Sequence, residues 1–109
     1  MIKVVVSLDK EGGYKGIEFS GHALFADSGK DIVCAAVSIL AINTLNSIEV
    51  FCKDEFTAYD DPEKGYLRAE FKSKLSDNAD LLMKSLMLGL DGISQEYGKK
   101  FITILRQEV

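Results

Sequence analysis

A long apolar run in the first half of the chain restricts the fold more than any other feature. Ten of the eleven residues from Ile32 to Ile42 are apolar or cysteine, and apolar positions continue through Leu45 and Ile48. The run is too long for a strand and predicts a buried helix that begins at Asp31. Because this helix is apolar on nearly every side, it needs cover on more than one face. A sheet and a second subunit could supply it, or a second helix and the preceding loop could wrap the helix.

Length and charge limit the classes of protein that need to be considered. The 109 residues suit one compact domain, and we expect residues 1–109 to form it. A net charge of -4 and the lack of a dense lysine or arginine cluster argue against direct binding of nucleic acid. The run Ile32–Ile42 is roughly half a bilayer span, and Met1–Val6 is too short for a signal peptide. We therefore expect a soluble cytoplasmic protein without a membrane partner.

The rest of the chain supplies strands. Ile2, Val4, Val6 and Leu8 alternate with the intervening side chains, which is the period-2 pattern of a half-buried strand. Turn-forming residues then separate this segment from the next one, so the first two strands should form an antiparallel hairpin. A second hairpin is predicted around Asp61–Gly65. The five predicted strands are Ile2–Leu8, Tyr14–Ser20, Glu55–Asp60, Tyr66–Phe71 and Phe101–Leu105.

A second, amphipathic helix is predicted from Ser76 to the vicinity of Gly98. Ser76 is a suitable N-cap, and apolar residues then recur three and four positions apart. This main stripe consists of Ala79, Met83, Leu86, Leu90, Ile93 and Tyr97, whereas Leu81, Met87 and Leu88 lie off it and could contact a partner chain. The resulting order ββαββαβ predicts an α+β two-layer sandwich with a mostly antiparallel five-stranded sheet and two main helices.

His22 and Cys34 are the residues best suited to chemistry. His22 is the only histidine, and with Asp31 as N-cap, Cys34 becomes the third helical residue. Free backbone N–H groups at a helix start can lower the pKa of such a thiol and can also stabilise an oxyanion. A nearby imidazole can take the thiol proton and return it to a leaving group. The alternatives are that Cys34 is a core residue and that His22 is an ordinary surface residue.

Other chemistries have less support. Cys52 has no histidine or basic neighbours in sequence and is assigned a structural role, and both cysteines are expected to be reduced thiols. Cys34, His22 and one of Asp27 or Asp31 would supply at most three metal ligands without paired zinc-site spacing, so we expect no metal. We expect no cofactor either, since the glycine-rich nucleotide-binding patterns are missing. A thiol-redox role lacks a CxxC pair.

Two segments carry a family resemblance. Gly21-His22-Ala23, followed after a short loop by the run from Asp31 to Ser38 (DIVCAAVS), resembles the ribosomal-processing cysteine protease family known as Prp. The chain length, the element order and the late Gly89–Ile93 segment followed by Tyr97 are similar as well.

The resemblance implies roles for particular residues. It makes Cys34 the nucleophile and His22 its general base and acid. Asp31 and Ser38 would support the site, Asp31 either by capping the helix or by orienting the imidazole. Gly21 and Gly29 bracket the loop and could act as its hinges, although ordinary turn geometry would also explain them.

The resemblance also implies a substrate and an assembly. Family members are homodimers that remove the N-terminal extension of large-subunit ribosomal protein twenty-seven by cutting after an aromatic residue, in support of ribosome assembly. The leading hypothesis is therefore a cysteine endopeptidase. The alternative is a dimeric, non-catalytic module that binds ribosomal or other basic protein segments through its acidic surface.

Overall fold

Strands and helices follow one another in the predicted order ββαββαβ. The computed structural model describes residues 1–23 and 31–109. A one-turn 3₁₀ helix, Pro62–Lys64, lies in the turn between the third and fourth strands. The main elements are β1 (Ile2–Leu8), β2 (Tyr14–Ser20), α1 (Ile32–Phe51), β3 (Phe56–Asp61), β4 (Tyr66–Phe71), α2 (Asp77–Tyr97) and β5 (Ile102–Glu108).

The five strands form one sheet in the order β3-β4-β2-β1-β5. The pairs β1–β2, β2–β4 and β3–β4 are antiparallel, whereas β5 joins the free edge of β1 in parallel. This confirms the predicted α+β class with a mostly antiparallel sheet. The β2–β4 register pairs Ser20 with Tyr66. The end of β2 therefore lies beside the β3–β4 turn, although the two are more than forty residues apart in sequence.

Helix α2 buries a wider face than its sequence stripe predicts. It packs against α1 and β5, and its buried residues are Ala79, Met83, Leu86, Met87 and Leu90. The prediction that Met87 faces a partner chain is wrong, because its side chain is only 4% exposed within this chain. Leu81 and Leu88 are exposed, as expected for residues off the stripe. Burying a large apolar side chain of this kind contributes about 1.5–3 kcal/mol.

Helix α1 is covered on one side and open on another. Val33, Val37, Ala41, Leu45 and Ile48 recur at helical spacing and belong to the core that α1 shares with the sheet and α2. The opposite side leaves several large apolar residues exposed, among them Ile32, Ile39, Ile42 and Val50. Within the described part of the chain, nothing covers this apolar stripe of α1.

Helix α1 also meets the length and composition criteria for a membrane span. It has 20 residues, about the number that crosses a bilayer. The sequence-based estimate of half a span is too short because the helix continues past Ile42. The core helix of a folded domain satisfies the same criteria. We interpret α1 as such a helix because its covered side packs into the common core.

Candidate active site

The site begins with the cap of α1. Asp31 has extended backbone angles, and its Oδ1 accepts hydrogen bonds from the backbone N–H groups of Val33, at 3.1 Å, and Cys34, at 3.0 Å. A carboxylate that satisfies two otherwise free donors is an effective N-cap. The predicted cap is therefore confirmed, and Cys34 is the third residue of the helix.

Cys34 is linked to the segment that follows β2. The backbone N–H of Ala23 donates to Cys34 Sγ at 3.1 Å, and Ala23 itself is only 2% exposed. His22, the residue directly before Ala23, is exposed. The sulfur is thus held against the same short segment that carries the imidazole.

The electrostatics at Cys34 differ from the sequence-based expectation. Burial is the main cause that raises the pKa of the Cys34 thiol, and the hydrogen bond and negative charge of Asp31 raise it further. The Ala23 N–H and the N-terminal ammonium of Met1 lower this pKa, but they do not overcome the other effects. The expectation that the helix start lowers the thiol pKa is wrong, because burial raises this pKa most and the carboxylate that caps the helix adds to the increase.

The capping bonds also change which groups could stabilise an oxyanion. The N–H groups of Val33 and Cys34 lie at the helix start, where free donors could bind an oxyanion, but both donate hydrogen bonds to Asp31 Oδ1. The N–H of Ala23 instead points at the sulfur from outside the helix. The Ala23 N–H therefore faces Cys34 Sγ, the atom that would attack the carbonyl carbon of a substrate.

A cavity of about 200 Å³ brings most of the predicted residues together. Gly21, His22, Cys34 and Ser38 all line it, whereas Asp31 is not among the lining residues and contacts the site through its hydrogen bond from the Cys34 N–H. Gly29, the second predicted hinge, lies outside the described residues. The other lining residues are mostly apolar: Ile2, Phe19, Val37, Ala41, Ile42, Asp60, Pro62, Gly65, Tyr66 and Leu67.

Gly21 is required by close packing. Its φ of +89° lies in the region that side chains rarely adopt, and a Cβ there would collide with the carbonyl oxygen of Met1. Its backbone N–H donates to the Gly65 carbonyl oxygen at 2.9 Å. Turn geometry and packing therefore account for this glycine, and its role as a hinge stays a prediction.

The turn between β3 and β4 is the part of the site that sequence reasoning missed. Asp60, Pro62, Gly65 and Leu67 line the cavity, together with the neighbouring Tyr66. The proline and glycine in this segment correctly predict a turn. Its place beside His22 follows only from the β2–β4 strand pairing, which the sequence pattern does not specify.

In the part of the chain that the structure describes, neither a group of metal ligands nor Cys52 adds to the site; Asp27, one of the ligands considered, lies outside that part. Within residues 1–23 and 31–109, no three histidine, cysteine or acidic side chains are grouped as metal ligands. Both cysteines are free thiols, as predicted. Cys52 is partly buried against the core at the far end of α1, which agrees with the structural role assigned to it.

Comparison with known proteins places this geometry in a family. The model of the family described as cysteine protease Prp matches residues 1–102. The "Ribosomal processing cysteine protease Prp" of Bacillus subtilis is 29% identical over 101 residues, covering 89% of this chain and 90% of that protein. The protein of the same name from Staphylococcus aureus is 26% identical over 99 residues, covering 91% and 93%.

A solved structure matches the whole fold. It is that of the essential ribosomal processing protease Prp from S. aureus in complex with a covalently linked product peptide. The TM-score is 0.93 at 25% identity, and the match covers 98% of this chain and 100% of the other. The chain therefore belongs to the cysteine protease Prp family and is a cysteine protease.

Proposed function

We propose that this protein is an endopeptidase in which Cys34 is the nucleophile and His22 the general base and acid. The observation that carries the proposal is that Cys34 and His22 line one cavity, while the Ala23 N–H holds the sulfur at 3.1 Å. Nucleophilic catalysis needs a thiol and an imidazole in one accessible site. His22 is the only histidine that the chain can supply.

The raised pKa of Cys34 favours a neutral thiol before substrate binds. In the proposed reaction, His22 takes the thiol proton as Sγ attacks the scissile carbonyl carbon. His22 then gives this proton to the leaving amine as the C–N bond breaks, which leaves a thioester on Cys34. His22 next removes a proton from water, whose oxygen attacks the thioester. The C–S bond then breaks, and the departing Cys34 sulfur takes the proton back from His22, which yields a new peptide carboxyl group and restores the thiol.

The cavity suits an apolar side chain of the substrate. Phe19, Val37, Ala41 and Leu67 are among its mostly apolar lining residues. Ser38, one helical turn after Cys34, adds a hydroxyl to the same wall. These features support cleavage next to an aromatic residue, in agreement with the specificity that the sequence resemblance implies.

We propose that the substrate is the N-terminal extension of large-subunit ribosomal protein twenty-seven. Both curated relatives are named for ribosomal processing, and the S. aureus structure carries a covalently linked product peptide. The net charge of -4 also suits a basic ribosomal segment. A cytoplasmic location follows as part of this proposal, since both thiols are free.

Cleavage of a synthetic peptide that spans the extension junction tests the assignment. Replacing Cys34 with Ala should reduce kcat to background, because no other thiol reaches the cavity from the described residues. His22→Ala should reduce kcat by about 10²-fold or more, since general base catalysis contributes about 10²–10⁴-fold. The matched control is Cys52→Ala, which should keep wild-type kcat. Product formation is followed by mass spectrometry.

The outcomes of this assay separate the two function hypotheses. Cleavage that persists in the Cys34→Ala variant would refute the nucleophile assignment. If the wild-type protein binds the peptide tightly and never cuts it, the non-catalytic binding module becomes the better account.

The electrostatic role of Asp31 gives a second prediction. Replacing Asp31 with Asn should keep the helix cap, because Asn and Asp are about equally good at this position. It should also remove a negative charge that raises the pKa of Cys34. The pH profile of Cys34 alkylation by iodoacetamide should therefore shift to lower pH, since the thiolate forms at a lower pH.

Peptide mapping separates alkylation of Cys34 from that of Cys52 in the same samples. Circular dichroism confirms that the helix content of Asp31→Asn matches the wild type. A pH profile that is unchanged or shifted to higher pH would contradict the conclusion that the charge of Asp31 raises the pKa of Cys34.

We also propose that the protein is a homodimer joined through the exposed stripe of α1. Ile32, Ile39 and Val50 are seven and eleven residues apart, spacings that return to the same side of a helix. Ile39 and Val50 are 67% and 70% exposed, and Ile42 adjoins them. Large apolar side chains aligned in this way favour contact with a second apolar surface.

Sedimentation equilibrium tests the proposed dimer. Ile39→Asp should convert the wild-type dimer to a monomer, because a dimer interface would bury the added charge. Leu88→Asp places the same charge on an exposed apolar site of α2 and should leave the dimer intact. A monomeric wild-type protein, or dissociation caused by Leu88→Asp alone, would refute an interface on α1.

A further inference from the structure

The turn that follows β3 is a rigid wall of the cavity. Asp61 Oδ1 accepts from the Lys64 N–H at 3.3 Å, and the Gly65 N–H donates to the Pro62 carbonyl oxygen at 3.1 Å. Pro62 opens the 3₁₀ helix and fixes its own φ angle. These bonds hold Gly65 at a defined position at the end of the turn.

Gly65 is fastened to the segment that carries His22. The Gly21 N–H donates to the Gly65 carbonyl oxygen at 2.9 Å, directly beyond the Ser20–Tyr66 pair of the β2–β4 ladder. The position of Gly21, and therefore of the adjacent His22, follows the position of the turn.

The imidazole lies directly against the space that a side chain at position 65 would fill. A Cβ there would be 2.8 Å from Cε1 and 2.9 Å from Nε2 of His22. It would also be 2.7 Å from the Gly21 carbonyl oxygen. Real Cβ atoms essentially never come this close to other heavy atoms, so the ring and the backbone before it would have to move.

We propose that Gly65 is a positioning residue for His22: its missing side chain leaves the space in which the imidazole edge bearing Nε2 rests. The inference rests on the proposed role of His22 as general base and adds the residue that orients it. A general base must lie within hydrogen-bond reach of the proton it takes, so an imidazole pushed out of this space would take the Cys34 proton less effectively. Misplacement by about 1 Å can cost about 10²-fold in rate.

Backbone conformation must be separated from contact with the ring. Gly65 has φ +60°, so any side chain there is strained whatever its neighbours are. Gly98 and Gly12, with φ of +93° and +83°, have nothing within 4 Å of their own Cβ positions. Alanine at either site carries backbone strain without the contact, so both substitutions are controls. Gly98, with ψ of 164°, lies outside the left-handed α region of Gly65 and is the more strained of the two.

The test compares Gly65→Ala and Gly65→Asn with Gly98→Ala and Gly12→Ala. Asn tolerates the left-handed conformation better than other side chains, so Gly65→Asn keeps the Cβ contact with less backbone strain. Three quantities are measured: kcat and KM for the peptide, and the NMR chemical shifts of the imidazole. A single histidine in the chain makes that signal unambiguous.

Both Gly65 variants should lower kcat by about 10- to 100-fold with a smaller effect on KM. They should also change the imidazole chemical shifts of His22. The Gly98 and Gly12 controls should keep the wild-type values of both. The proposal is overturned if the His22 signal of the folded Gly65 variants coincides with that of the wild type, whatever happens to kcat.

A double-mutant cycle measured by Tm tests the same contact without depending on activity. The loss of Tm caused by Gly65→Asn should be smaller in a His22→Ala background, because the ring is then absent. An equal loss in both backgrounds would overturn the contact with the imidazole. If the wild-type protein cleaves no peptide, the proposed function fails, and the NMR chemical shifts and this cycle still decide whether Gly65 positions His22.

Discussion

The carboxylate of Asp31 is the group on which the site depends. It fixes the first turn of α1 by accepting the N–H groups of Val33 and Cys34, and it thereby determines where the sulfur lies. The same carboxylate raises the pKa of Cys34 and removes two backbone donors that an oxyanion could otherwise use. Asp31 thus gives the helix a definite start and, together with the larger effect of burial, favours the neutral form of the Cys34 thiol.

The second constraint is the pairing of β2 with β4. It places the residues after Ser20 against the turn before Tyr66, so that one hydrogen bond, from the Gly21 N–H to the Gly65 carbonyl oxygen, connects two distant parts of the chain. The Ala23 N–H then reaches the sulfur at the start of α1. The cavity is therefore built from a strand end, a helix start and a turn, and its position follows from the sheet register.

Much of this arrangement is visible in the sequence because it is local. Alternation and helical spacing predict all five strands and both helices to within a few residues, and Asp31 is recognised as an N-cap from its place before an apolar run. The GHA and DIVCAAVS segments indicate the family, and the family model confirms it. What the sequence misses is tertiary. Met87 is buried because α2 contacts both α1 and β5, and Gly65 meets His22 only through strand pairing.

The central claim is that Cys34 forms a covalent bond to the substrate during cleavage, and trapping the acyl-enzyme tests it most directly. The wild-type protein is mixed with the extension peptide, quenched in acid within the first turnover, and analysed by intact mass and peptide mapping. The account predicts a mass increase equal to that of the N-terminal product minus one water, carried as an acyl group on Cys34. Peptide cleavage with the adduct on Cys52 would contradict it. So would cleavage without an adduct at any quench time, together with unimpaired turnover by the Cys34→Ala variant.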